Sequence, residues 1–175
     1  MQFNNPNTHN GIAAKDLLGE LVIVYPIKYV PTDARDGNPG TYGVRVKDEY
    51  SKTGYSLRDA IVAEVHVLGE DGENAVYHET MFLQGRLIRD SKKVLRKWEN
   101  SPRERWSPIL ARVEMVGKAY NFGAYTEADA ERAMGYLKEN PVNLDDLGVE
   151  FIGSNPNRES VEDNSPQNQD DNPPF

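Results

Sequence analysis

Leu21-Val22-Ile23-Val24-Tyr25-Pro26-Ile27-Lys28-Tyr29-Val30 is the stretch on which the fold of this 175-residue chain turns. The β-branched and aromatic residues on both sides of Pro26 have the composition of a strand. Proline cannot donate to a β-ladder, so inside such a run it marks a bend or a bulge. Leu18 to Val30 is therefore expected to be one long first strand, bent near Pro26, that serves two parts of a strongly curved sheet.

Further along, Ala60 to Leu68 alternates, with Ile61, Ala63, Val65 and Val67 on one face and Glu64 and His66 on the other, as in a half-buried strand. Glu70-Asp71-Gly72-Glu73-Asn74 has turn composition, and Val76 to Leu83 returns as the antiparallel partner. Glu64, His66, His78 and Glu79 lie on these strands at spacings that fix no metal geometry; they are expected as exposed strand polars, and no metal site is assigned. Between Gln84 and Trp98 two periods compete. Leu87, Ile88, Val94, Leu95 and Trp98 fit a helical stripe, while Lys93 to Trp98 also fits a strand, and a strand from about Lys92 is expected. Asn100 to Trp106 is then a basic loop with an aromatic tip, and Ile109 to Val116 the closing strand. After Gly117, Tyr120 and Phe122 share one side of any extended segment. Thr126 is placed to cap a helix from Glu127 to about Lys138, with Ala128, Ala130, Ala133, Met134 and Leu137 available for burial.

Two segments lack the apolar surface that would offset the entropy of ordering. Residues 1–16, rich in Asn and Gly, are expected as a flexible arm, and residues 140–175, rich in Asp, Asn, Pro and Ser, as a disordered acidic tail. What remains, residues 17–139, is a mainly β domain. Five strands with a C-terminal helix fit an OB-fold-like five-stranded barrel, in which the face of the second and third strands and two flanking loops bind oligonucleotides. The first loop would be Pro31 to Leu57, glycine-rich and expected to carry a short hairpin arm; the second would be Glu99 to Ser107. An α+β alternative rests on Lys118-Ala119-Tyr120-Asn121-Phe122-Gly123-Ala124-Tyr125, which resembles the central strand motif of RNA-recognition motifs at Lys118, Tyr120, Phe122 and Tyr125.

The chain carries 28 acidic and 20 basic side chains, a net charge of −8, spread unevenly. Residues 141–175 contain eight acids and one base, Arg158. Residues 84–106 contain eight bases, Arg86, Arg89, Lys92, Lys93, Arg96, Lys97, Arg103 and Arg105, against three acids, Asp90, Glu99 and Glu104. A basic band on a near-neutral body with an acidic tail is the charge plan of a nucleic-acid binder that also recruits proteins. Phosphate-tracking cations and base-stacking rings are accordingly expected in Lys28, Arg45, Lys47, Tyr55, Arg58, Arg86, Lys92, Lys93, Arg96, Lys97, Trp98, Arg103, Arg105, Trp106, Tyr120 and Phe122. Trp98 equally fits a core position, and Trp106 a loop anchor.

Cysteine is absent, which removes disulfides, thiol catalysis and cysteine-based zinc sites. With no phosphate-cradling glycine loop, Gly-x-Ser-x-Gly elbow or His-Glu-x-x-His helix, a binding protein that is not an enzyme and carries no cofactor is expected. The N-terminus lacks the basic start and apolar core of a signal peptide, and the longest apolar run, Leu21 to Ile27, is too short to cross a bilayer. The expectation is a soluble, intracellular protein with no membrane partner.

The last six residues, Asp170-Asp171-Asn172-Pro173-Pro174-Phe175, join two carboxylates, prolines that hold the backbone extended, and a terminal ring with its own α-carboxylate. A partner could take the ring in an apolar pocket and the carboxylates on Lys or Arg. This ending resembles the acidic tip of bacterial and phage single-stranded DNA-binding proteins, which typically finish Asp-Asp-Asp-Ile-Pro-Phe. Asp170, Asp171, Pro174 and Phe175 match; Asn172 stands where a third Asp is usual, and Pro173 where Ile or Leu is usual. The resemblance implies sequence-tolerant binding of single-stranded DNA by the body. It also implies recruitment of replication, recombination or repair proteins through Asp170, Asp171, Pro174 and Phe175, in the cytoplasm of a bacterial cell or a phage-infected host. A homo-oligomer stays open. The competing expectation, from a different class, is a protein-binding adaptor whose body meets no nucleic acid.

Overall fold

The computed structural model describes residues 11–32 and 44–152. In chain order the strands are β1 (Leu21–Val30), β2 (Val44–Lys47), β3 (Tyr55–Arg58), β4 (Ala60–Leu68), β5 (Asn74–Phe82), β6 (Ile109–Val116) and β7 (Ala119–Gly123). Helix α1 (Gly85–Glu99) joins β5 to β6, and α2 (Glu127–Glu139) follows β7. Five strands form one antiparallel sheet in the order β5-β4-β1-β6-β7, and β2 and β3 pair separately as a hairpin, the arm expected within the first loop. The succession of three sheet strands, a helix, two strands and a helix is not the β-α-β-β-α-β order of an RNA-recognition motif, which removes that alternative.

The bent first strand is at the centre. β1 pairs with β4 along its length but with β6 only from Leu21 to Val24. Its register against β4 shifts between Pro26 and Lys28, so Ile27 is the extra residue of a bulge. The proline thus sits where β1 no longer has a partner on both sides, the position at which a residue without N–H costs least. The Ile27 carbonyl at the bulge accepts from the Glu150 backbone N–H at 2.8 Å.

Leu21 through Tyr25, Ile61, Ala63, Val65, Leu68 and Phe82 of the sheet join a buried core with Leu87, Leu95 and Trp98 of α1. Edge strands β5 and β7 share no ladder. Even so, Phe82 and Phe122 meet edge to face with ring centroids 6.2 Å apart, so the sheet curls enough to bring both edges onto one core. α1 packs against β1, β4 and β7.

Three expectations are corrected. Residues 85–99 form a helix where a strand from Lys92 was expected. As a strand, Lys93 to Trp98 would place Leu95 with two lysines on one face and Arg96 between Val94 and Trp98 on the other. As a helix, Leu87, Ile88, Ser91, Leu95 and Trp98 are buried together while Arg86, Arg89, Lys93, Arg96 and Lys97 stay outside. The fifth sheet strand is instead β7, and the segment from Glu99 to Ser107 joins a helix to a strand; β6 and β7 are linked by a tight turn at Gly117, whose φ of 64° suits a residue without Cβ. Finally, the body is longer than 17–139. Ala14 and Leu17 are buried in a short 3-10 helix, Leu144, Leu147, Val149 and Phe151 pack on the core, and Ile152 is buried.

α2 begins as expected at Thr126, in a reciprocal capping box: the Thr126 hydroxyl accepts from the Asp129 N–H, and Asp129 accepts from the Thr126 N–H, each at 3.0 Å. Its buried residues are Asp129 and Ala133, whereas Met134, expected inside, is 70% exposed. Asp129 also takes a two-pronged contact from Arg112 on β6, Nε to Oδ2 at 3.2 Å and Nη2 to Oδ1 at 2.9 Å. The Arg112 hydrogen bonds, then the Thr126 N–H, pull the Asp129 carboxyl from 3.8 to about 2. A depressed carboxylate stabilises the fold above its unfolded value, and that contribution disappears as pH falls through the folded value. Thermal melts should therefore lose stability most steeply between pH 4 and pH 2. Asp129→Asn should flatten that interval and cost about 2 kcal/mol at neutral pH; unchanged pH dependence in the variant would refute this assignment.

Candidate functional site

The helical geometry of α1 sorts its cations. Arg89, Lys92, Lys93 and Arg96 fall at i, i+3, i+4 and i+7, one stripe about 10 Å long. This stripe lines a cleft of about 510 Å³ together with Thr32, Leu57, Arg58, Asp59, Leu83, Gly85 and Ile88. Among the described residues, five cationic side chains from two separate segments thus line the cleft with one acid. That acid is already engaged: Asp59 Oδ2 accepts from the Tyr29 hydroxyl and Oδ1 from the Thr32 backbone N–H, each at 2.7 Å. These bonds hold the end of β1 to the short link between β3 and β4, fixing Arg58 opposite α1. Lys92 Nζ lies 4.1 Å over the Tyr29 ring, and Arg89 Nε donates to Asp90 at 3.3 Å. α1 has no acidic residue in its first turn, so the positive end of its dipole adds to the field at Gly85.

Of the residues expected to bind nucleic acid, the structure brings Arg58, Lys92, Lys93 and Arg96 together here. Arg89 completes the set. It belonged to the basic band, but its place beside Lys92, Lys93 and Arg96 appears only once the segment is helical. Arg86 and Lys97 are exposed on α1 outside the lining. Arg45, Lys47 and Tyr55 lie on the β2–β3 hairpin, where the Arg45 guanidinium sits 4.0 Å over the Tyr55 ring and donates to its hydroxyl at 3.0 Å. Lys28 is 3.8 Å from Glu150.

The aromatic expectations change most. Trp98 is 1% exposed, and its Nε1 donates to the Ser107 carbonyl at 3.1 Å, so it offers no face to a base. Trp106 stacks on Trp98 with centroids 5.0 Å apart and planes 5° from parallel, its Nε1 donating to the Trp98 carbonyl at 2.8 Å and the Ser101 carbonyl at 3.2 Å. Phe151 meets its edge, and Arg103, which pairs with Asp145, lies 5.1 Å from its ring centre. Trp106 is therefore the anchor of its loop, and Arg103 is spent on that anchor; Arg105 is exposed beside it. Tyr120 and Phe122 are half-buried and pack against the core. Asp170, Asp171, Pro174 and Phe175 lie outside the described residues.

A second cluster corrects the reading of His66 as an exposed strand polar, since it is 5% exposed. A bulge leaves His78 and Glu79 opposite Glu64, with Glu79 at φ 54°, and this turns His78 towards Glu64. Glu64 contacts His66 Nε2 at 2.8 Å and His78 Nδ1 at 2.7 Å, while His66 Nδ1 meets the Tyr136 hydroxyl of α2 at 2.7 Å. Burial first, then the Glu64 charge, pushes Tyr25 beside this cluster up to about 12 and raises Tyr136, so both phenols stay protonated near neutrality. Among the described residues no group of His, Cys, Asp and Glu is arranged to hold a metal ion, and no helix is long and apolar enough to cross a membrane.

No protein-family model matches the chain, and neither a curated protein nor a solved structure matches it.

Proposed function

We propose that the chain is a single-stranded DNA-binding protein of OB-fold type that holds its strand in the cleft between α1 and the β3–β4 link. The observation that carries this reading is the convergence of Arg58, Arg89, Lys92, Lys93 and Arg96 around a cleft in which Asp59, the one carboxylate among the described lining residues, is already hydrogen-bonded. Such a site attracts phosphates, and a flexible single strand can bend to bring several of them to it where a stiff duplex cannot. The fold half of the proposal is supported by the five-stranded sheet curled about a bulged first strand, with its edges meeting at Phe82 and Phe122. The cleft differs from the face of the second and third strands, the usual site on that fold.

Fluorescence anisotropy of labelled oligo-dT tests the reading. Tryptophan quenching is a poor reporter, because both indoles pack against each other away from the cleft lining. Engagement of five phosphates would give a slope of log K against log salt of about −3.5, roughly a hundredfold loss between 50 and 200 mM. A duplex of the same length should bind much more weakly; equal affinity would sink the proposal.

The tip enters the proposal as the docking segment for replication, recombination or repair proteins, as its resemblance implies. Deleting Phe175 should abolish capture of such partners and leave oligo-dT affinity near wild type. Retention of every partner would reduce the tip to an acidic tail.

A further inference from the structure

We infer that the cleft holds its strand through phosphates and stacks no base, so that its ligand class is a flexible phosphodiester chain with or without bases. This rests on the nucleic-acid reading above and names what that reading's site detects. Recognition by base stacking needs an aromatic face open to the strand. Among the described residues the lining contains none. Its residues are aliphatic or small, apart from the five cations, Thr32 and Asp59.

Among the described residues, the aromatic rings near the basic band are engaged elsewhere. Tyr29 lies beneath Lys92 Nζ and donates its hydroxyl to Asp59. Tyr55 lies beneath Arg45. Trp98 is in the core with Trp106 stacked on it, and Tyr120 and Phe122 pack on the same core. Two tyrosines among the described residues stay open, Tyr50 at 92% and Tyr125 at 52% exposure, and neither lines the cleft. Asp59, the acid of the described lining, already accepts on both oxygens, and the Thr32 hydroxyl oxygen is buried.

The lining offers charge arranged along a line. Arg89, Lys92, Lys93 and Arg96 present guanidinium and ammonium donors along one helical stripe, with Arg58 across from them. Such donors match phosphate oxygens of any sequence. A single strand bends to bring successive phosphates to these positions. A duplex, with a persistence length of about 50 nm, does not. Preference for single strands therefore comes from backbone compliance, and loss of the bases leaves it intact.

The experiment is competition against labelled oligo-dT, using the full chain and three unlabelled competitors of equal length: oligo-dT, a tetrahydrofuran abasic strand, and a duplex. The abasic strand should compete within about threefold of oligo-dT and with a parallel salt slope. One stacked base would instead weaken the abasic strand by roughly 5- to 150-fold. An abasic strand weaker by about tenfold or more, with oligo-dT still binding, overturns this inference and leaves the DNA reading standing. If labelled oligo-dT itself fails to bind, both fall together.

Discussion

Lys93→Glu combined with Arg96→Glu should weaken oligo-dT binding by roughly a hundredfold or more at low salt. Both side chains are exposed on the outer stripe of α1 and line the cleft. Reversal removes two phosphate contacts and places two carboxylates among the remaining cations, so the strand meets repulsion where it had attraction. Each lost contact should also make the salt slope less negative by about 0.7, at least about 1.4 for the pair. Neither residue contributes to the core, so the change in unfolding free energy should stay within about 0.5 kcal/mol per site. Lys118→Glu is the control for net charge alone, because Lys118 is exposed in the β6–β7 turn and does not line the cleft. A loss from Lys118→Glu equal, per charge, to that from the cleft pair would mean that overall charge governs binding and the cleft does not.

Trp98→Ala should destabilise the protein by about 3 to 5 kcal/mol, a large part of the stability of an ordinary domain. The indole fastens three segments at once. It is buried among the sheet residues from α1, it holds the start of the 107–109 segment through Ser107, and its face supports Trp106, against which Phe151 packs. Removing it opens a cavity beneath the loop and withdraws the platform that seats the C-terminal segment. Trp106→Ala, taking only the half-buried partner of the stack, should cost less. Urea melts give both numbers. A Trp98→Ala protein of unchanged midpoint whose oligo-dT affinity has fallen would restore the base-stacking role that its burial argues against.

The parts of this fold that were legible in the sequence are those with a local cause. Pro26 inside a β-branched run predicts the bulge, the alternation from Ile61 to Val67 with a glycine turn predicts the β4–β5 hairpin, and Thr126 predicts the start of α2. The cations of the cleft were legible as a band, yet their meeting place depended on the period of residues 85–99. The decisive clue, that either face of a strand there would mix charge with core residues, was present in the sequence and was outweighed by the local β-like run. Trp98 and Trp106 could not be assigned from composition, because tryptophans in a basic segment read the same whether they stack on bases or on each other. His66 alternates like an exposed residue; only the return of α2 and its Tyr136 over that face of β4 buries it. The apolar residues from Leu144 to Ile152 are scattered among polar ones, so composition understates a segment whose anchors are nonetheless packed.

The central claim is that a single strand lies between α1 and the β3–β4 link, and backbone amide shift mapping during an oligo-dT titration tests it most directly. Saturable shifts should concentrate at residues 57–59 and 85–96, with Glu64, His66 and Tyr136 unmoved. Shifts confined to the β4–β5 face, or no saturable shifts at any residue, would contradict it.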